Sequence, residues 1–139
     1  MSARDRILNS QDLERAELDI PEWGGQVFYR ELTGIERDEL TDLYIEAQVT
    51  DPATGTVKQL LPKHYKAKIC IMGVIDEDGS NVFTKEHLER VAAKSARCID
   101  TVSSAITKIS GMAGVTIEGA QEDFIDDRSE DGGSESLEL

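Results

Sequence analysis

The chain has 139 residues, with 15 Lys and Arg against 28 Asp and Glu, so its formal net charge is −13. This length fits one domain of roughly 100–150 residues with a tail. The negative charge argues against binding to nucleic acid or to an anionic membrane surface, because both need clusters of Lys and Arg. There is no run of about 18 apolar residues and no apolar segment at the N-terminus. With only two cysteines, the sequence predicts a cytosolic, reduced and non-enzymatic protein.

The charge is distributed unevenly along the chain. Residues 1–56 carry 13 acids and 5 bases, a net charge of −8, whereas residues 57–108 carry 6 acids and 9 bases, a net charge of +3. The remaining residues carry 9 acids and 1 base, and their acidic, Gly- and Ser-bearing composition predicts a mostly disordered tail over 113–139. Phe124 and Ile125 lie among carboxylates there, either within a purely solubilising tail or as a short docking motif.

The first predicted elements are a flexible lead-in over 1–16 and a β-hairpin over 17–32. Apolar and polar residues alternate on both sides of Gly24–Gly25, and a Gly-Gly pair suits a two-residue primed turn. That turn predicts a register in which Ile20 faces Tyr29.

Helices and a loop are predicted after the hairpin. Thr33 and Glu36 have the spacing of a capping box, which predicts that a helix begins there. The turn-forming residues within 50–62 predict a loop. Apolar residues at helical spacing predict the other helices. The predicted helices lie within 34–49, 63–75, 85–94 and 96–110. The predicted fold class is therefore α+β and mainly helical, with an N-terminal β-hairpin and about four short amphipathic helices in a single domain over 17–112.

No pattern of metal ligands or catalytic residues emerges from the sequence. Asp76–Gly79 resembles the start of a calcium loop, but the position that needs a bidentate Glu is occupied by His87. His64, Cys70 and Cys98 complete a set of four candidate zinc ligands, yet no pair has ligand spacing. Nothing marks an activated nucleophile. We therefore expect no catalytic residue, no metal and no cofactor.

An ordered set of short motifs resembles the tail assembly chaperones of long, non-contractile-tailed bacteriophages and related prophages. The resemblance spans about residues 17–112, and its motifs are Pro21-Glu22-Trp23-Gly24-Gly25, Arg30-Glu31-Leu32-Thr33-Gly34, Glu36-Arg37-Asp38, Asp76-Glu77-Asp78-Gly79 with Val82-Phe83, Lys94-Ser95 and Ile109-Ser110-Gly111-Met112. Members of the family often end soon after the last helix, whereas this chain continues into an acidic segment.

The resemblance implies a non-enzymatic role in the cytoplasm of the infected bacterial host. Such proteins coat the long, helical tape measure protein, keep it soluble and help to recruit tail tube subunits, and they are absent from the mature virion. Many are made in two lengths by a ribosomal frameshift, and they tend to self-associate. The expected partners are thus the tape measure protein, the major tail tube protein and further copies of the chain, without nucleic acid or membrane. The alternative function is an acidic nucleic-acid mimic or inhibitor that binds a basic partner.

Aromatic, basic and apolar residues are the candidates for partner and self-interaction. Trp23 is either a core anchor or an exposed interface contact. The mildly basic middle of one subunit is expected to meet the acidic N-terminal part of the next, which would make rings or spirals. The candidate interaction residues are Trp23, Phe28, Tyr44, Lys63, Lys66, Lys68, Phe124 and Ile125.

Overall fold

The structure, a computed structural model, describes residues 2–112. Its α+β class and its N-terminal hairpin confirm the predicted fold class, and the described residues form five α-helices and five short strands. The elements are α1 (Ala3–Leu8), β1 (Arg15–Ile20), β2 (Gly25–Arg30), α2 (Gly34–Glu46), β3 (Gln48–Thr50), β4 (Val57–Gln59), α3 (Tyr65–Gly73), β5 (Val74–Ile75), α4 (Leu88–Ala92) and α5 (Ala96–Ile109). The predicted tail, with Phe124 and Ile125, lies outside the described residues.

The hairpin is built on a longer turn than the sequence predicts. Ile20 is paired with Gly25, so the predicted two-residue turn and the pairing of Ile20 with Tyr29 are wrong. Pro21–Trp23 forms a turn of 3-10 helix between the strands, followed by Gly24 with φ of 95°. The proline at the start of this turn has no N–H and a fixed φ, which suits the first position of a helical turn better than a strand pair.

A third strand, which the sequence analysis placed on a helix, completes the sheet. The strand order is β1-β2-β5, and β5 is antiparallel to β2 with Ile75 opposite Phe28. Val74 falls within the helix predicted over 63–75, but α3 ends at Gly73. The two β-branched residues that follow extend the chain along β2 instead.

A second small hairpin replaces the loop predicted over 50–62. Strands β3 and β4 are antiparallel, with Val49 opposite Lys58. The Asp51 N–H donates to the Thr56 carbonyl at 2.8 Å, and Gly55 adopts φ of 75° to close the turn. The sequence therefore predicts the turn but not the short exposed strands that flank it, because these strands carry no alternating apolar pattern.

Helix α3 lies at the centre of the core. Six of its nine residues are buried. The buried residues lie on both faces of the helix, whereas an amphipathic helix, as the sequence predicts, would bury one face. It packs against α4 and α5, and α5 contributes a regular face of Ile99, Val102 and Ile106. At Gly73 an added Cβ would lie 2.7 Å from the Ile106 side chain, so glycine permits the close approach of these two helices.

The remaining helices lie close to their predicted positions, with two differences. The segment 85–94 begins as a 3-10 turn over Lys85–His87 before α4 starts. The predicted lead-in contains α1, which is capped by the Ser2 side chain and has no buried residue. Within residues 2–112, no helix has both the length and the hydropathy needed to cross a bilayer.

Candidate binding groove

A broad, open groove of about 1110 Å³ separates the hairpin turn from the segment that leads into α4. Trp23 and Phe28 line it from the hairpin, and Val82 and Phe83 line it from the opposite segment. Strand β5 forms the base between them through Val74 and Ile75. Two of the interaction residues predicted from the sequence, Trp23 and Phe28, are therefore brought together in one concave surface.

Trp23 combines the two roles that the sequence analysis left open. Its side chain is half-buried and packs against the hydrophobic core, while it also lines the groove. The turn that carries it is tied to the first turn of α5, because Arg97 donates to the Glu22 carboxylate at 2.9 Å. A backbone N–H and this Arg97 contact lower the pKa of Glu22. The tryptophan thus lines the groove from a turn that it holds against the core itself, beside an exposed ion pair with α5.

A capping box holds the segment that forms the opposite wall of the groove. The Nδ1 atom of His87 accepts a hydrogen bond from the Thr84 N–H at 2.9 Å, so His87 closes the turn that precedes α4. The ring of Phe83 packs edge-on against His87, with the ring centroids 5.8 Å apart. This arrangement fixes an aromatic side chain across the groove from Trp23.

Both signs of charge lie along the groove. Acidic side chains come from the hairpin turn and from the turn after β5, with Glu22, Asp76 and Glu77 in the lining. Basic side chains come from the α4 region, with Arg90 and Lys94 in the lining. An apolar centre between charges of both signs suits a peptide segment with one apolar face and charged flanks.

Four lining residues that matter here were not among the predicted interaction residues: Phe83, His87, Arg90 and Lys94. The sequence did carry a signal for two of them, because Val82-Phe83 and Lys94-Ser95 belong to the motifs of the family resemblance. Helical periodicity gave no such signal, since the groove depends on how β5 and α4 pack against the hairpin.

Four other predicted interaction residues fall within residues 2–112, namely Tyr44 and the three lysines, and all four lie outside this groove. Tyr44 is half-buried on α2, and its carbonyl accepts a hydrogen bond from the Gln59 side chain at 2.7 Å. Lys66 forms an ion pair with Asp100 at 3.0 Å. Lys63 is exposed and Lys68 is half-buried, and neither forms an ion pair with another described residue.

The candidate metal ligands are not clustered in the described part of the chain. Residues 2–112 hold no group of three or more His, Cys, Asp or Glu side chains placed to bind a metal. The Asp76–Gly79 stretch is a tight turn in which the Asp76 N–H donates to the Ser80 carbonyl at 2.8 Å. Cys70 and Cys98 are both buried free thiols. Burial, with a smaller effect of Asp100, raises the pKa of Cys70 to about 12, so its thiolate is strongly disfavoured.

The hairpin, the third strand and the helices packed on them have a fold similar to that of a solved bacteriophage protein. A solved structure of the bacteriophage HK97 tail assembly chaperone matches with a TM-score of 0.52 and 13% sequence identity. The match covers 78% of this chain and 91% of that chain. The family resemblance in the sequence is therefore confirmed at the level of the fold. No family model matches the chain, and no curated protein matches it.

Proposed function

We propose that the chain is a phage tail assembly chaperone, a non-enzymatic protein that coats and solubilises the tape measure protein. The observation that carries this proposal is the fold shared with the HK97 tail assembly chaperone along most of both chains. In this role it acts in the cytoplasm of the infected host, helps to recruit tail tube subunits and is absent from the mature virion.

The groove is the surface that we assign to the tape measure protein. A long helical client offers repeated amphipathic segments, and such helices bind by laying an apolar face into a groove. Trp23 and Phe83 are partly exposed aromatic residues on facing walls, and aromatic residues dominate the energetics of many interfaces. The acidic and basic side chains along the walls then select the charged flanks of the helix and fix its direction.

Copies of the chain that associate with one another form the coat around the tape measure protein. Lys63 and Lys68 remain available for a charge-dependent contact with the acidic N-terminal part of a neighbouring copy. Lys66 contributes less than its neighbours because Asp100 already neutralises it within the chain. A contact between two different surfaces of identical copies repeats around or along a client as a ring or spiral.

Co-expression with the tape measure protein of the same phage tests the proposal. We expect the tape measure protein to move from the insoluble to the soluble fraction and to co-purify with the full chain. Trp23→Ala and Phe83→Ala should each reduce the amount retained, because each removes an aromatic contact from the groove. Ile35→Ala is the matched control, since Ile35 is 74% exposed and lies outside the groove.

Two results of these experiments would contradict the proposed chaperone function. If the tape measure protein is neither solubilised nor retained by the folded full chain, the proposal is wrong. Tight, salt-sensitive binding of a purified cationic nucleic-acid-binding protein, without binding of the tape measure protein, would instead favour the alternative of an acidic mimic.

A further inference from the structure

A second, smaller depression lies between the start of α3 and the junction of α4 with α5, and we call it the notch. It encloses about 210 Å³, which is below the roughly 300–1,000 Å³ of a small-molecule pocket and suits a few side chains of a peptide. Leu61 lines it while remaining 54% exposed. The apolar lining consists mainly of Leu61, Pro62, Ala92, Ala96 and Ile99.

The notch carries positive charge. Lys66, Lys94 and Asp100 line it, and Asp100 forms a 3.0 Å ion pair with Lys66. Lys94, which also lines the larger groove, forms no ion pair with another described residue. Lys63 is exposed next to Pro62 in the chain and adds a further positive charge beside the notch. The larger groove, in contrast, has three carboxylates in its lining beside Arg90 and Lys94, whereas the lining of the notch includes one carboxylate, Asp100. The chemistry of the notch therefore fits a short apolar motif flanked by acidic residues.

The chain itself contains a segment of this chemistry. Residues 122–127 read Glu-Asp-Phe-Ile-Asp-Asp, so an apolar pair is flanked by two acids on each side. We propose that residues 122–127 dock into the notch of the same chain. Phe124 and Ile125 contact the apolar lining, and the flanking carboxylates face Lys94.

The length of the chain permits this contact. The Ser110 side chain accepts a hydrogen bond from the Leu32 N–H, so the C-terminal end of α5 lies beside the segment between β2 and α2. The notch lies at the opposite end of α5, and the 14 residues of this helix span about 21 Å. The nine residues 113–121 reach up to about 30 Å when extended. A tethered segment also has an effective concentration in the millimolar range, which favours the same chain over a second copy.

Disulfide trapping in the full-length chain tests the proposal. Arg128→Cys places a thiol directly after the proposed motif, and Ala96→Cys places its partner at the notch, where Ala96 is exposed. Under mild oxidation we expect a disulfide within one chain, detected as faster migration on a non-reducing gel. Lys108→Cys is the matched partner control, because Lys108 is exposed near the end of α5 from which the segment departs. Without docking, the shorter connection would favour the Lys108→Cys partner; with docking, the Ala96→Cys partner should react about tenfold faster.

Further variants show whether the proposed contacts cause the trapping. Phe124→Ala with Ile125→Ala should remove the preference for the Ala96→Cys partner, whereas Leu137→Ala, another apolar residue of the same acidic segment, should leave it intact. Lys94→Glu should slow trapping, and Lys85→Glu, which lies outside the notch, should not. Faster trapping with Lys108→Cys overturns the proposal, as does an unchanged preference in the Phe124 and Ile125 double variant. A disulfide that forms only between chains assigns the notch to a second copy and overturns docking within one chain.

Discussion

Arg30 and Glu36 form a two-pronged ion pair that joins the end of β2 to the first turn of α2. The two guanidinium nitrogens of Arg30 lie 2.9 and 3.0 Å from the two carboxylate oxygens of Glu36. The side chains are only 10% and 18% exposed. Glu36 also accepts a hydrogen bond from the Thr33 N–H at 2.9 Å, which completes the capping box. The same Arg30 donates to Asn81, so one side chain also holds the turn beyond β5.

Arg30→Ala should destabilise the fold by about 3 kcal/mol, because it leaves the Glu36 carboxylate partly buried without its partner. Glu36→Gln should cost less, since glutamine still suits the third position of a capping box. Urea unfolding followed by circular dichroism measures both. Arg97→Ala is the control, because its ion pair with Glu22 is exposed on the surface and surface pairs contribute little. An Arg30→Ala variant as stable as the Arg97→Ala variant would contradict this role.

Ionisation of the Glu36 carboxylate should make the free energy of unfolding depend on pH. Burial by itself raises the pKa of Glu36, but hydrogen bonds from Arg30 and Thr33 and the charge of Arg30 outweigh it, so the pKa lies below its ordinary value of 4.5. A pKa lowered by folding means that the stabilisation is complete above the unfolded pKa and is lost as the pH falls through the folded pKa. The urea midpoint should therefore fall more steeply below pH 4.5 in the wild type than in Glu36→Gln. Parallel pH profiles would contradict this assignment.

Cys70 and Cys98 should be unreactive in the folded chain. Both thiols are buried, and the raised pKa of Cys70 leaves almost none of its reactive thiolate at neutral pH. A chromogenic disulfide reagent should label neither thiol in native buffer at pH 8 and both in denaturant. The Cys98→Ala variant isolates Cys70, whose labelling should then follow global unfolding. Rapid labelling of this variant in native buffer would show that the core around α3 opens locally.

Self-association should depend on charge. Lys63→Glu combined with Lys68→Glu should lower the sedimentation coefficient at low salt, because it adds repulsion to the proposed contact with the acidic N-terminal part of the next copy. High salt should produce the same shift in the wild type by screening. Lys85→Glu combined with Lys108→Glu changes the net charge equally at two other exposed positions and serves as the control. A wild-type monomer at both salt concentrations and high protein concentration would rule out this mode of assembly.

Local signals in the sequence were sufficient for some elements of the fold. The Thr33–Glu36 capping box and the apolar repeat of α5 depend on residues three or four positions apart, so helical periodicity and capping rules locate both helices. Strand β5 has only two residues, and its pairing with β2 joins segments far apart in the sequence. No local pattern marks such a strand. The hairpin register failed because a proline at the turn outweighed the Gly-Gly signal that followed it.

The sequence predicts only part of the candidate site, because the groove also joins segments that are far apart in the sequence. Trp23 and Phe28 stood out as aromatic residues in a predicted hairpin, and both line the groove. The facing wall is created when β5 and α4 pack against that hairpin, so Phe83 and Lys94 acquire their role only in the tertiary structure. The motif Arg30–Gly34 of the family resemblance proves to be part of the junction between sheet and helix, through Arg30 and the cap at Thr33.

Site-specific photo-crosslinking tests the central claim most directly, because it reports which surface touches the client. A benzophenone amino acid in place of Phe83 should form a covalent adduct with the co-expressed tape measure protein, and the same amino acid in place of Ile35 should not. Ile35 is exposed and lies outside the groove. An adduct at position 83 that Trp23→Ala weakens is the result that the proposed groove predicts. A tape measure adduct at position 35 and none at position 83 would contradict it.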